Sequence, residues 1–147
     1  SITTDLMVGF PGETSEEFEE SYEFCAEMGF TRMHVFQYSS RPGTAAARMA
    51  GAVPDRAAAN RSERMLWLAA VSAASFRQKF RGSTVEVLFE EEVKEKSGHW
   101  RGLTDNYLEV EVRSDLPLAN QIRSVRLDEL RDETLIGTIV SDANSHN

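Results

Sequence analysis

Few side chains in this sequence of 147 residues could do chemistry. Its only cysteine is Cys25, and its three histidines are His34, His99 and His146. One thiol can build neither a disulfide framework nor a structural metal site. No two of the histidines have the spacing of a zinc-binding pair. Cys25 falls on an apolar stripe, where a free cysteine ordinarily packs as a small inert hydrophobe. His34 falls between Met33 and Val35 in a strand-like run and is expected to be a hydrogen-bonded core histidine. There is no Ser-His-Asp order, no Walker loop and no HExxH. The most informative local feature is a turn, Gly9-Phe10-Pro11-Gly12-Glu13-Thr14. Its free backbone N–H groups could hold an anion or a nucleotide edge. By physics alone, Gly and Pro between a strand and a helix more often only turn the chain.

The elements around that turn follow from hydrophobic period. Ile2 to Val8 is aliphatic and β-branched and reads as a buried strand. Thr14 and Glu17 have the spacing of a capping box. Phe18, Tyr22, Cys25 and Met28 then recur every three or four residues, and Gly29 closes the helix. Thr31 to Tyr38 reads as a second strand, so strand, helix and strand form a βαβ unit with parallel strands. Ser39 to Ala52 is a loop. Pro54 opens a long helix with Met65, Leu68, Ser72, Phe76 and Phe80 on one face and Gly82 at its stop. The cations Arg56, Arg61, Arg64, Arg77 and Lys79 on that helix are expected to be solvated, an RNA backbone being the sharper alternative.

From Ser83 the period changes to two. Val85, Val87 and Phe89, then Leu108, Val110 and Val112, then Val125 and Leu127 alternate with polar residues. Short alternating segments separated by Gly, Asp, Asn and Pro predict a small antiparallel β-barrel. Glu90 to Gly98 reads as a polar hairpin connection and Ser141 to Asn147 as a disordered tail. The expected organisation is therefore an α/β part with its linking helix over 1–80, a β-barrel over 81–141, and a tail over 142–147.

Bulk composition narrows the class. Apolar residues make up 41% and charged residues 27%, as in an ordinary globular domain. No apolar run approaches bilayer length, and a single cysteine suits a reducing, cytoplasmic setting. The net charge of -8 argues against a stand-alone, non-specific nucleic-acid binder. Residues 81–147 carry 8 Lys or Arg against 14 Asp or Glu, so only a local basic face could meet RNA there.

Three stretches, in order, carry a resemblance. Thr4-Asp5-Leu6-Met7-Val8-Gly9-Phe10-Pro11-Gly12-Glu13-Thr14 resembles the fifth barrel strand and turn of radical-SAM tRNA methylthiotransferases. His34-Val35-Phe36-Gln37-Tyr38-Ser39-Ser40-Arg41-Pro42-Gly43-Thr44-Ala45 resembles their sixth strand and its loop. Gly102-Leu103-Thr104-Asp105-Asn106-Tyr107-Leu108 resembles the signature of their carboxy-terminal TRAM domain, a small OB-like RNA-binding barrel. The likeness runs from residue 2 to about residue 140. It implies a fold made of the last βαβ part of a radical-SAM partial TIM barrel plus a long helix, followed by the TRAM barrel.

That resemblance implies an enzyme using S-adenosylmethionine (SAM) and two 4Fe-4S clusters to add a methylthio group. The family's cluster cysteines, a CxxxCxxC motif early in the barrel and three more in an amino-terminal domain, have no counterpart here. The chain is thus expected to begin four strands into a six-stranded barrel and to be inactive alone. Carried over by position, Met7, Val8, Gly9, Phe36, Gln37 and Tyr38 would surround the SAM adenine. Met7 stands where isoleucine is usual, and Gln37 and Ser40 where proline is common. Arg101, Asn106, Tyr107, Arg123 and Arg126 are the candidate contacts to the tRNA anticodon region. Asp5-Leu6, His34-Val35-Phe36 and Thr104 to Leu108 look most like the branch that modifies threonylcarbamoyl-adenosine. The isopentenyl-adenosine and ribosomal-protein branches are the alternatives, as is a TRAM-type RNA adaptor without chemistry. The sulfur donor stays open.

Overall fold

The computed structural model describes residues 1–140, so the expected tail at 141–147 lies outside the described residues. The chain divides into two compact units, Ser1–Phe76 and Arg77 onward.

The first unit contains β1 (Thr3–Val8), α1 (Ser15–Met28), β2 (Arg32–Gln37) and most of α2 (Asp55–Lys79). β1 and β2 pair in parallel, from Thr3 opposite Arg32 to Val8 opposite Gln37. α1 starts as its sequence dictates. The Glu17 amide donates to Thr14 Oγ1 and the Thr14 amide to Glu17 Oε2, completing the capping box. It stops at Gly29, whose left-handed backbone lets its N–H reach the Cys25 carbonyl. Val8, Phe18, Cys25, Phe30, Met33, Met65 and Leu68 form the core. Cys25 is buried there, and burial pushes its thiol pKa up, away from reactivity. Met28, expected on the same stripe, is instead 46% exposed at the last turn.

Strand alternation sorts the other residues. Leu6, Val8, Met33 and Val35 turn toward the helices, while Asp5, Met7, His34 and Phe36 lie on the opposite, uncovered face. His34 is therefore exposed and not a core histidine: a one-residue offset from Met33 puts it on the other side of the sheet.

The second unit is a closed barrel of β3 (Thr84–Glu92), β4 (His99–Leu103), β5 (Glu109–Arg113), β6 (Gln121–Arg131) and β7 (Thr134–Ile139), in the order β3-β4-β5-β7-β6. Four pairings are antiparallel and one departs from that expectation: β5 and β7 run parallel. This is the closure of an OB-type barrel. Val87, Phe89, Val110, Val112, Val125, Leu127 and Leu135 fill it, each fully buried. Gly102 sits where an added Cβ would run into the Leu88 carbonyl, so β3 and β4 approach closely only with glycine there. β3 runs on to Glu92 through a bulge between Phe89 and Glu91, leaving a shorter connection than the expected Glu90–Gly98.

Candidate functional site

The expected site residues fall in two regions. The first is a cleft of about 150 Å³ at the carboxyl ends of β1 and β2, lined by Gly9, Pro11, Gln37, Tyr38, Ser40 and Asp55, among others. Parallel strands ordinarily present ligands at this end. The turn that shapes it is held from two sides. The Gly9 amide donates to Glu13 Oε1 at 2.9 Å, and Arg61 of α2 forms an ion pair with that same oxygen while also donating to the Glu13 carbonyl at 3.1 Å. Gly9 has φ 75°, and a Cβ there would stand 2.7 Å from the Ala58 Cβ, so the turn and α2 pack only around a bare glycine.

Tyr38, which lines this cleft, carries a buried side-chain group without a partner among the described residues. Its ring meets Phe10 edge-on at 5.3 Å, and its amide donates to the Val8 carbonyl at 2.9 Å. Its hydroxyl is buried with no hydrogen-bond partner. A buried hydroxyl without a partner costs free energy that a ligand acceptor or donor would recover.

Of the six residues expected around the adenine, Gly9, Gln37 and Tyr38 line this cleft. Met7 and Phe36 are register partners on the uncovered sheet face, 51% and 52% exposed. Val8 points into the core at 1% exposure, and Tyr38 already occupies its carbonyl.

The helix cations divide: Arg56 and Lys79 are exposed, as a solvated face requires, whereas Arg61, Arg64 and Arg77 have partners. Arg61 is buried in its pair with Glu13. Arg64 holds both oxygens of Glu19 and lies over the Phe18 and Tyr22 rings at 5.0 and 4.9 Å. Arg77 lies 3.7 Å from Glu133. The first two are structural partners of α1 and its turn, neither free solvated charges nor open phosphate contacts.

The second place is the barrel surface. Alternation puts His99 and Arg101 on the outer face of β4 and Glu109, Glu111 and Arg113 on that of β5. Glu111 is buried and receives Lys96 at 3.3 Å and His99 Nδ1 at 2.9 Å. Burial pushes its carboxyl pKa up, but those two contacts outweigh burial and hold it below the usual range. Arg101 lies 3.6 Å from Glu109, and its Nε is buried without a hydrogen bond. The sequence reading missed Lys96, His99 and Arg113 on this face; β4 was not visible as a separate strand, so nothing aligned them with Arg101. Arg123 and Arg126 belong to β6, which borders β3 and β7, not this pair of strands. Arg126 pairs with Asp128 at 2.7 Å. Asn106 and Tyr107 lie in the β4–β5 loop, where Asn106 Oδ1 accepts from the Thr104 hydroxyl and Tyr107 stands 77% exposed. The five expected RNA contacts therefore do not form one patch.

Both halves of the chain have known relatives in one order. The chain is 36% identical over 129 residues to threonylcarbamoyladenosine tRNA methylthiotransferase MtaB of Bacillus subtilis, covering 86% of this chain and 29% of that protein. It is 34% identical over 143 residues to tRNA-2-methylthio-N(6)-dimethylallyladenosine synthase of the same organism, covering 97% of this chain and 28% of the relative. The chain belongs to the tRNA methylthiotransferase family. A dimethylallyladenosine synthase of Chloroflexus aurantiacus is 44% identical over 108 residues, covering 71% of this chain and 22% of the relative. The chain spans less than a third of the length of these curated relatives. No protein-family model matches it. Among the described residues no helix is long and apolar enough to cross a membrane, and no group of three or more His, Cys, Asp or Glu could hold a metal ion.

Proposed function

We propose that this chain supplies the closing strands of the SAM-binding barrel and the RNA-binding barrel of a cytoplasmic enzyme that methylthiolates threonylcarbamoyl-adenosine beside the tRNA anticodon. The observation that carries this reading is similarity to tRNA methylthiotransferases along 97% of the chain, through both compact units. The likeness of His34-Val35-Phe36 and the 36% identity to MtaB favour the threonylcarbamoyl substrate.

The residues present fit SAM and do not fit a cluster. Tyr38 offers a buried hydroxyl without a partner at the strand ends, and Gly9 and Gln37 line the same cleft. Met7 and Phe36 add an apolar surface on the sheet face that such a barrel turns inward. The only thiol, Cys25, is sealed in the core, so the clusters need cysteines from outside these residues and the chain by itself is inactive. When bound, SAM and the two 4Fe-4S clusters supply the radical and the methyl group. The role of this chain is to position SAM at the strand ends and the tRNA on the barrel. In the barrel, a TRAM-type reading assigns phosphate contacts to Arg101, Arg123 and Arg126. The outer face of β4 and β5, where Arg101 and Arg113 lie and Lys96 reaches Glu111, is where OB barrels engage nucleic acid.

A second reading, the dimethylallyl-adenosine branch, is favoured by the 44% identity to the Chloroflexus synthase. Nucleoside mass spectrometry of tRNA from a strain lacking this gene separates the two. Loss of the methylthio group from threonylcarbamoyl-adenosine is the expected result. Loss from dimethylallyl-adenosine alone establishes the second reading, and unchanged levels of both rule out either activity. A non-catalytic RNA adaptor would also leave both levels unchanged, yet bind an anticodon stem–loop with a marked salt slope.

A further inference from the structure

The barrel carries an apolar row that its own core does not use. Register places Leu88 of β3 opposite Ile122 of β6 on one side and Leu103 of β4 on the other. Three adjacent strands thus set three aliphatic side chains side by side on the outer surface. Leu88 is 44% exposed and Ile122 61% exposed. They floor a groove of about 370 Å³, large enough for two or three side chains.

The rim of this groove is acidic. Glu86, Glu90 and Asp105 line it, and no lysine or arginine does. Among the described residues, none of these three carboxylates has a hydrogen bond or ion pair. Tyr107 closes one end. Its backbone is left-handed, with φ 63°, a conformation costly for an aromatic residue. A tight loop imposes it: the Tyr107 amide donates to the Thr104 carbonyl at 3.0 Å, and the Leu108 amide to Thr104 Oγ1 at 2.9 Å. The ring is thereby held out at the groove's edge and does not collapse onto the barrel.

We propose that this groove docks a polypeptide segment that lays apolar side chains on Leu88, Leu103 and Ile122 and sets Lys or Arg against Glu86, Glu90 and Asp105. Charge complementarity selects this occupant. An RNA strand would bring phosphates against three unpaired carboxylates, a repulsion that specific interfaces avoid. A neutral apolar partner would leave the rim uncompensated. β3 is hydrogen-bonded on both edges, so the segment docks through side chains and not by adding a strand. Leu103 shares the outer face of β4 with Arg101, so the groove borders the face proposed above for tRNA.

The test is a titration of the ¹⁵N-labelled chain with a short peptide alternating Leu and Lys, and with matched Leu/Glu and Ser/Lys peptides. The Leu/Lys peptide is expected to bind saturably and shift amides of β3, β6 and the Thr104–Leu108 loop. Ile122→Ser and Glu90→Lys should each weaken it roughly tenfold, with the barrel spectrum otherwise preserved. Both positions are exposed, so neither change should unfold the barrel. Equal binding of the Leu/Glu or Ser/Lys peptide would overturn the proposal. So would undiminished binding to both variants, or an anticodon stem–loop RNA shifting this groove instead.

Discussion

Arg61 and Glu13 are 48 residues apart, yet the Arg61 guanidinium closes on the same Glu13 oxygen that accepts the Gly9 amide. One carboxylate thereby fastens the turn after β1 to α2. The pair is largely buried, with side-chain exposures of 10% and 15%. Removing one partner leaves the other charged and unpaired, which costs several times what an exposed pair is worth. Arg61→Ala should destabilise the first unit by about 3 kcal/mol. Arg64→Ala, on a pair with side chains 40% and 49% exposed, should cost less. Urea denaturation of both variants checks the ranking, and equal midpoints would refute it.

Gly9→Ala should destabilise by about 2–4 kcal/mol, through the left-handed backbone and the collision with Ala58. The double variant Gly9→Ala with Ala58→Gly separates the two causes. It should relieve the collision, retain the backbone cost and add about 1 kcal/mol for glycine inside a helix. A cycle showing no coupling between the positions would mean that packing on α2 is not the reason for glycine.

Tyr38→Phe makes opposite predictions for stability and for binding. The hydroxyl has no partner among the described residues, so its loss should be neutral or stabilising by up to about 1 kcal/mol. SAM affinity of the complete enzyme should nevertheless fall, roughly tenfold for one hydrogen bond. Calorimetric SAM binding unchanged in the variant would remove Tyr38 from the proposed cofactor site.

Glu111 predicts the acid limit of the barrel. Lys96 and His99 hold its carboxyl below the ordinary value of 4.5, despite burial. A carboxylate with a depressed folded pKa binds more protons when unfolded, so its stabilisation is present above 4.5 and lost as pH falls through the lower folded value. Glu111→Gln should cost about 1–2 kcal/mol at neutral pH and flatten the acid side of the thermal stability profile. Parallel acid profiles for parent and variant would contradict this.

The βαβ unit leaves one sheet face and both strand edges open, whereas the barrel has no edge. Amides of residues 1–52 should exchange faster than those of β3 to β7, unless self-association covers them. Equal protection in a monomer measured by hydrogen exchange would exclude that difference.

The local grammar of this protein was legible residue by residue. Thr14 and Glu17 announced a capping box, Gly29 a left-handed stop, and Val87, Phe89, Val110, Val112, Val125 and Leu127 the inward face of a barrel. Each depends on the spacing of neighbours along the chain, which hydrophobic period and capping chemistry report directly. The ordered motifs from Thr4 to Leu108 also pointed to the family. What spacing could not report was partnership between distant residues. Arg61 reads as one more cation on a helix until the fold brings Glu13 to it. His34 reads as core until parity with Met33 turns it outward. Arg101, Arg123 and Arg126 read as one basic set until strand order separates β4 from β6. Likewise Leu88, Leu103 and Ile122 are unrelated in sequence, and only barrel register lines them up. Sequence determined the elements and the family because those are encoded by neighbours; the sites depend on which strands close against which, and long-range pairing alone decides that.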